Sequence, residues 1–289
     1  MTDRILSGFR CIGTECRKRI ITRQFLCVAI FILTIEYGMT RGVIQFIQDY
    51  DLKINFSMAP HFFSLFLFVT YYGFIVCYMF SDAPFMNRSE VYKVVREGRI
   101  RWLLSKVVAI IVQSIALTAF SFLGGILVFL PNVDFSNKWG EVVYTMAYSG
   151  DMIIGYNTVG VAVAPIIERY TPIQAFIFSF FMTSLITTLI GLLIFAVSLY
   201  SNRVVALMVG LGLANMQLVL NYFPNLMWCY YCSPYTWIMI GTYGVRSFLG
   251  TYYPRLPYCL CMSFAIIAAL LVLIFLKARK MEFHWYKED

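Results

Sequence analysis

Charge is scarce in this sequence. Only 13% of its residues are Asp, Glu, Lys or Arg, whereas a water-soluble globular protein carries roughly 25%. Apolar residues make up 60% of the chain, and the mean hydropathy is +0.74. So few charges cannot cover the surface of a folded chain of 289 residues. The scarcity therefore excludes an ordinary soluble enzyme or binding domain and indicates a chain that crosses a lipid bilayer.

Patterns for nucleotide binding, catalysis and metal binding are also missing. The dipeptide Gly-Lys does not occur, so the chain has no G-x-x-x-x-G-K-[ST] phosphate loop. It has no G-x-S-x-G or H-E-x-x-H motif and only two histidines. We therefore predict no catalytic residue, no bound cofactor and no metal site. Free thiols are expected at four cysteines, with a disulfide as the alternative in an oxidising compartment and a zinc site as the weakest reading: Cys229, Cys232, Cys259 and Cys261.

Six stretches are long and apolar enough to cross about 30 Å of hydrocarbon as helices. The alternating strands of about ten residues that mark a membrane barrel are absent, and helices also satisfy the backbone in lipid. The sequence therefore predicts an all-α integral membrane protein whose single transmembrane domain covers residues 25–289. Its predicted spans are 25–42, 62–81, 103–129, 173–199, 204–223 and 258–276.

Basic residues divide unevenly between the two sides that these spans define. With the N-terminus inside, 17 Lys and Arg lie on the inner side and six on the outer side, while Asp and Glu divide eight to seven. Because cations determine orientation, we predict a plasma-membrane protein with both termini cytoplasmic. The net charge of +8 then reflects topology and contact with lipid headgroups, and we expect no nucleic-acid partner.

Residues 1–24 precede the first span and are rich in arginine. Five apolar residues recur among the arginines at helical spacing, which predicts an amphipathic interfacial helix; a disordered basic arm is the alternative. No signal-peptide cleavage pattern follows. Within the first span, Glu36 and Arg41 are about one and a half turns apart, so we expect them to pair locally. The apolar residues of the arm are Ile5, Phe9, Ile12, Cys16 and Ile20.

Two outer segments, 130–172 and 224–257, are too apolar for ordinary loops. In the first, residues 141–168 include Asp151 and Asn157. We predict an interfacial or partly re-entrant helix there, because a seventh span would place the basic C-terminus outside and a carboxylate in lipid. In the second, a broken, aromatic-rich helix is predicted to be re-entrant before the last span. Its marker residues are Ser233, Pro234 and Trp237.

The polar segment 82–101 lies between the second and third spans. Asn87 is placed to cap a helix, with Glu90 three residues later, and Gly98 is placed to end it. This pattern predicts a short, basic, amphipathic helix on the inner surface. Such a helix can dock a cytoplasmic partner; an ordinary basic loop is the alternative. Its candidate docking residues are Asn87, Glu90, Val91, Lys93, Val94, Val95, Arg96 and Gly98.

Polar side chains inside the spans are candidates for a translocation pathway or a dimer interface, because they are costly to expose to lipid. Small hydroxyls usually bond to their own or a neighbouring helix, so Asn215 and Gln217 are the stronger candidates. The full set is Thr118, Ser121, Thr187, Asn215, Gln217 and Asn221.

The order of these features resembles the ABC-2-type permeases, the membrane subunits of type-2-like ABC exporters. The resemblance covers essentially the whole chain. It rests on the six-span order, the helix 87–98 followed by the basic stretch 99–106, the minimal turn 201–203 and the Ser-Pro-Tyr-Thr-Trp sequence at 233–237. Residues 130–140 are also similar to a segment of Gram-positive permeases. The resemblance implies that two permeases, as a homodimer or alternatively a heterodimer, bind two copies of a separate ATPase, which holds ATP and Mg²⁺. Residues 87–98 would be the coupling helix.

Within that family, the chain is similar to Gram-positive exporters of amphipathic peptides, including phenol-soluble modulin exporters and bacteriocin self-protection systems. The resemblance implies outward transport of peptides by alternating access, in a subunit that is not itself an enzyme. Export of a drug or a lipid by the same fold is one alternative. A membrane enzyme or a channel is the alternative from another class, although no rings of polar residues suggest a pore.

Overall fold

The computed structural model describes residues 13, 15, 17, 19, 22–84, 94, 98–149, 162–223, 226, 228–247 and 250–280, without the side chains of 221 and 278–280. In chain order the first elements are α1 (Arg23–Asp49), β1 (Ile54–Asn55), α2 (Ala59–Phe62), α3 (Phe66–Met79), α4 (Arg99–Leu127), β2 (Val133–Asp134) and α5 (Gly140–Tyr148). They are followed by α6 (Ala164–Arg169), α7 (Pro172–Tyr200), α8 (Arg203–Tyr222), α9 (Cys229–Cys232), 3₁₀ turns at Pro234–Ile238 and Ile240–Thr242, and α10 (Leu256–Lys280).

Five of the described helices are long and apolar enough to cross a membrane: α1, α4, α7, α8 and α10. They overlap the first, third, fourth, fifth and sixth predicted spans, and together they support a multi-pass, all-α membrane protein. The first span is longer than predicted. It continues past residue 42 to Asp49, so that Arg41 and the polar residues after it belong to the same helix.

The second predicted span, 62–81, is not one long helix. α3 has 14 residues, which at 1.5 Å per residue is about 21 Å and falls short of the hydrocarbon thickness. Leu65 has an extended backbone, with φ −93° and ψ 126°, and it separates α3 from α2. Ser64 explains the break, because its hydroxyl donates to Pro60 O at 2.9 Å and accepts from Gly241 N at 3.3 Å. The second of these bonds holds the chain at the break to a distant segment.

Helix starts follow local capping chemistry. Thr22 accepts a hydrogen bond from Phe25 N at 3.1 Å at the start of α1, and Asn202 accepts from Val205 N at 2.8 Å at the start of α8. Thr171 and Gln174 form a capping box at the start of α7. These side chains satisfy backbone donors that have no partner inside the helix. The minimal turn at 201–202 makes α7 and α8 neighbours, as the sequence predicts.

α7 lies at the centre of the bundle and packs against α4, α8 and α10. α3 packs closely against α8, and Gly73 lies at their point of close approach. A Cβ at Gly73 would lie 2.8 Å from the Cβ of Ala214, closer than real carbon atoms approach. The absence of a side chain at Gly73 thus brings the two helix backbones together, as small residues do between membrane helices.

The connections collect at two opposite faces of the bundle. The loop face comprises the described residues of 50–65, 128–149, 162–171 and 228–255. Its short strands β1 and β2 pair in parallel, with Ile54 opposite Val133. The terminal face comprises the described residues of 13–24, 78–84, 94–106, 201–203 and 277–280. There, the Gln24 amide at the start of α1 donates to Tyr78 O at the end of α3, at 2.5 Å.

The apolar segment 141–168 contains two short helices, α5 and α6. Asp151 and Asn157 lie outside the described residues, so the interfacial or re-entrant helix stays a prediction. The described ends contact each other, because Tyr148 Oη donates to Glu168 Oε1 at 3.0 Å. This hydrogen bond raises the pKa of the Tyr148 phenol above its ordinary value.

Candidate coupling site and buried polar cluster

Of the eight residues predicted to form the docking helix, the described ones are Val94 and Gly98. Asn87, Glu90, Val91, Lys93, Val95 and Arg96 lie outside the described residues. Val94 is helical and buried, and its carbonyl accepts a hydrogen bond from Gly98 N at 2.9 Å. Gly98 has φ +88°, a conformation that favours glycine. Its carbonyl then accepts from Trp102 N at 3.2 Å, so α4 begins directly at this glycine.

A buried ion pair lies two turns into α4. Lys106 Nζ contacts Glu15 Oε1 of the N-terminal segment, 91 residues away along the chain. Lys106 is 1% exposed and Glu15 is 5% exposed. The sequence does not predict this pair, because both residues count among the charges of the inner side. The signal that could have found it is Lys106's position between the apolar residues Leu103 and Val107.

Two further groups surround this pair. Arg19 Nε lies 3.6 Å from Glu15 Oε1, one helical turn along the N-terminal segment. Lys106 Nζ lies 5.8 Å from the centre of the Trp102 ring, within the range of a cation–π contact. A second ion pair at the same face, Asp82 with Arg203 at 2.9 Å, is more than half exposed on both sides. The terminal face therefore joins the N-terminal segment, the end of α3, the base of α4 and the α7–α8 turn.

Thr118 and Thr187, predicted as pathway candidates, are brought together in the interior of the bundle. Their hydroxyl oxygens each lie 3.1 Å from Tyr72 Oη, and all three residues are at most 1% exposed. Thr118 also donates to Ser114 O, and Thr187 to Thr183 O. The cluster joins α3, α4 and α7. These threonines are packed between helices of one chain, which is the ordinary use of small hydroxyls that the sequence suggested.

Ser121, another pathway candidate, binds a buried carboxyl group. Its hydroxyl donates to Glu36 Oε1 at 3.0 Å, and Glu36 is 1% exposed. Gly124 makes the room, because a Cβ there would lie 2.3 Å from Glu36 Oε2. Arg41 is exposed. The expected local pair between Glu36 and Arg41 is therefore wrong: the helix turns Glu36 towards α4 and Arg41 away from it.

The two strongest pathway candidates, Asn215 and Gln217, lie in different environments. Gln217 is 2% exposed, its amide lies 2.9 Å from Met239 Sδ, and its Oε1 has no partner among the described residues. Asn215 is exposed and donates to Leu211 O at 2.9 Å. Gly212, one turn away on the same exposed face, has open space where a Cβ would stand. Asn215 therefore keeps the candidate role at a surface, Gln217 belongs to the core, and the side chain of Asn221 lies outside the described residues.

The aromatic segment before the last span folds as α9 and two 3₁₀ turns. Ser233, Pro234 and Trp237 are all buried. Trp237 Nε1 donates to Tyr230 O at 3.0 Å, and Tyr243 Oη donates to Trp237 O. The segment packs on α3, α7 and α8. The segment is thus broken, as the sequence predicts, and consists of short turns packed inside the protein; its re-entrant position in the membrane stays a prediction.

Cys229 and Cys259 are buried, Cys232 and Cys261 are exposed, and all four are free thiols. Within the described part of the chain, no group of three or more His, Cys, Asp or Glu could hold a metal ion.

His61 is a buried polar residue of the loop face that the sequence gave no reason to single out. Its Nδ1 accepts a hydrogen bond from Val163 N at 3.0 Å, and its ring lies 5.0 Å from that of Trp139, edge to face. Trp139 in turn borders an open cleft of about 480 Å³ between α5 and α6.

Comparison of the chain with family models, with curated proteins and with solved structures found no match. The family resemblance noted in the sequence therefore remains a prediction.

Proposed function

We propose that this chain is the permease subunit of an ATP-driven exporter of the ABC-2 type. The observation that supports it best is the composition of the terminal face. A bundle of apolar helices without a phosphate loop carries there a basic segment, 87–98, joined directly to α4 through Gly98. A transporter without its own nucleotide-binding site must bind a separate ATPase at its surface. The basic segment 87–98 is the proposed binding site for that ATPase.

In this proposal the chain crosses the plasma membrane of a Gram-positive bacterium six times. α3, extended by the buried residues 59–65, serves as the second span. Both termini and the terminal face are cytoplasmic, since most Lys and Arg lie on that side. The loop face, including α5, α6 and the segment 229–242, is then extracellular or in the outer leaflet.

The proposed mechanism starts at two separate ATPase subunits, each of which binds ATP and Mg²⁺. Their closure pushes the coupling helix 87–98, and Gly98 passes the displacement to the base of α4. Because α4 packs on α7, movement of one requires adjustment of the other. The bundle then alternates between inward-open and outward-open states, and the permease itself performs no chemical step.

The proposed cargo is an amphipathic or hydrophobic peptide, such as a toxin or an antimicrobial peptide. Such a cargo partitions into an apolar surface without specific charge recognition. A second copy of the permease, as a homodimer, completes the pathway. The exposed face of α8 that carries Gly212 and Asn215 is a candidate for this contact, because an amide is costly to leave in lipid.

The test is co-expression with an ATPase encoded beside this chain. We expect the purified chain to hydrolyse no ATP alone and to co-purify with the ATPase. The double variant Lys93→Glu with Arg96→Glu should lower the amount of bound ATPase at least about tenfold, by replacing attraction with repulsion. The matched control is Lys53→Glu with Lys138→Glu, which makes the same charge change on the loop face. Normal assembly and transport by the first variant would show that 87–98 is not the coupling helix.

A further inference from the structure

Two arginines of the loop face lie directly before the starts of two spans. Arg169 ends α6, shortly before α7 begins at Pro172, and Arg255 immediately precedes α10, which begins at Leu256. α7 and α10 start at the same face of the bundle and pack against each other. We propose that these two arginines form a binding site for the phosphate of an anionic phospholipid, the headgroup site. The inference needs only that α7 and α10 cross a membrane and does not depend on the transport function proposed above.

The two arginine side chains meet at the base of one hairpin. In this hairpin, which ends before α10, Gly244 N donates to Pro254 O at 3.3 Å. Arg169 Nη1 reaches the hairpin from α6 and donates to Tyr243 O. The Cγ atom of Arg255 lies 3.7 Å from the position that a Cβ at Gly244 would occupy. Both arginines therefore approach the same peptide unit, between Tyr243 and Gly244.

The positive charges of this pair are not neutralised within the described chain. Both side chains are exposed, and neither forms an ion pair with a carboxylate in the part of the chain that the structure describes. Arg169 uses one of its N–H donors on Tyr243 O, and the guanidinium of Arg255 donates to no described residue. Glu168, beside Arg169 in sequence, accepts on Oε1 from Tyr148 Oη of α5 at 3.0 Å. The pair can therefore offer two positive charges and most of its N–H donors to an anion.

The position of the pair indicates which anion it binds. The first residues of a membrane span lie at the edge of the hydrocarbon, next to the layer of lipid headgroups. Arginine binds phosphate through bidentate, charge-assisted hydrogen bonds. Tyr252, which is 52% exposed on the same hairpin, is of a residue type enriched at this depth. A pair of arginines at the ends of two adjacent spans is therefore placed to bind the phosphate of a lipid.

Two further exposed arginines provide a matched control. Arg246 lies opposite Tyr252 in the hairpin, and its Nη2 lies 3.7 Å from the position of a Cβ at Gly250, so its side chain points towards the tip of the hairpin. Arg41 is exposed on α1, which packs on α3 and α4. These two arginines carry the same charge as the proposed pair but belong to different elements and do not converge on Tyr243.

The experiment measures lipid binding to the full chain by native mass spectrometry, with phosphatidylglycerol or phosphatidylcholine titrated into detergent micelles. We expect phosphatidylglycerol to bind at least about tenfold more tightly than phosphatidylcholine, because each arginine near an anionic headgroup contributes about a fivefold change in affinity. Arg255→Gln should raise the Kd for phosphatidylglycerol about fivefold, and Arg169→Gln with Arg255→Gln should raise it at least about tenfold. The control, Arg41→Gln with Arg246→Gln, should change it by less than about twofold.

Inorganic phosphate distinguishes a lipid site from a site for free phosphate. At millimolar concentration it should leave phosphatidylglycerol bound, and displacement of the lipid would overturn the lipid assignment. An unchanged Kd in the double variant would overturn the headgroup site, as would an equal loss in the control, which would show attraction by net charge alone. Because the Arg255 guanidinium has no described partner, Arg255→Gln should keep the melting temperature of the wild type. Its loss of binding therefore tests the site even if a variant at Arg169 fails to fold.

Discussion

The loop face and the terminal face differ in the kind of interaction that holds each together. At the loop face, buried side chains bond to backbone groups. The Asn55 amide donates to Ser136 O and Lys138 O at 2.8 Å each, and its Oδ1 accepts from Ser57 N at 2.9 Å. At the terminal face, ion pairs join separate segments: Glu15 with Lys106, and Asp82 with Arg203.

This difference has physical consequences. Hydrogen bonds to buried backbone groups fix irregular chain, because any displacement leaves polar atoms unsatisfied. Charge pairs depend less on geometry and join segments that have no backbone contact. The loop face is therefore held by hydrogen bonds that fix its backbone, while the terminal face is held by charge pairs between separate segments.

The largest expected effect among tests of this comparison is at Asn55. Asn55→Ala removes three hydrogen bonds, one buried and two partly buried, so we expect the free energy of unfolding to fall by about 2–4 kcal/mol. The apparent melting temperature in detergent should fall by roughly 5–10 °C. Asn137→Ala is the control, because Asn137 is exposed and accepts one bond, from Ile173 N at 3.2 Å. Equal shifts in the two variants would contradict the importance of buried backbone bonds at this face.

An intermediate effect is expected at His61. His61→Phe keeps a ring beside Trp139 but removes the acceptor of the hydrogen bond from Val163 N, so we expect the free energy of unfolding to fall by about 1–3 kcal/mol. The melting temperature in detergent should therefore fall, but by less than for Asn55→Ala. An unchanged melting temperature would exclude this role of His61.

The smallest effect is expected at the exposed pair of the terminal face. Asp82→Asn breaks the contact with Arg203, whose side chain is 56% exposed. Exposed ion pairs contribute about 0–1 kcal/mol, so the melting temperature should change by less than roughly 3 °C and respond weakly to salt. A larger fall in the melting temperature would show that even exposed ion pairs contribute substantially to the stability of this face.

Hydropathy could predict most of the bundle. Five of the predicted spans correspond to long helices, because length and apolar character are local properties of the sequence. The hydroxyl contacts of Thr118 and Thr187 follow the general habit of such residues in helices. The minimal turn, predicted at 201–203, was visible in the same way, whereas the Asn202 cap is a finding of the structure.

Partners that are distant in sequence could not be predicted. Nothing local connects Lys106 with Glu15, or pairs Ile54 with Val133 in parallel strands. The break before α3 depends on Ser64 meeting Gly241, residues 177 positions apart. Glu36 seemed to belong with Arg41 because of sequence spacing, whereas the space that Gly124 leaves on another helix directs it to Ser121.

The shortness of α3 has a consequence for the surrounding lipid. In the proposed six-span topology, α3 is about 9 Å shorter than the hydrocarbon core is thick. If nothing filled this difference in length, the bilayer would have to become thinner around the protein. Here the gap is filled by the protein: Met58, Phe62 and Phe63 continue from α3 towards the loop face, and each is at most 1% exposed. The hydrophobic mismatch is thus absorbed by the fold, and irregular backbone at this depth meets protein instead of lipid chains.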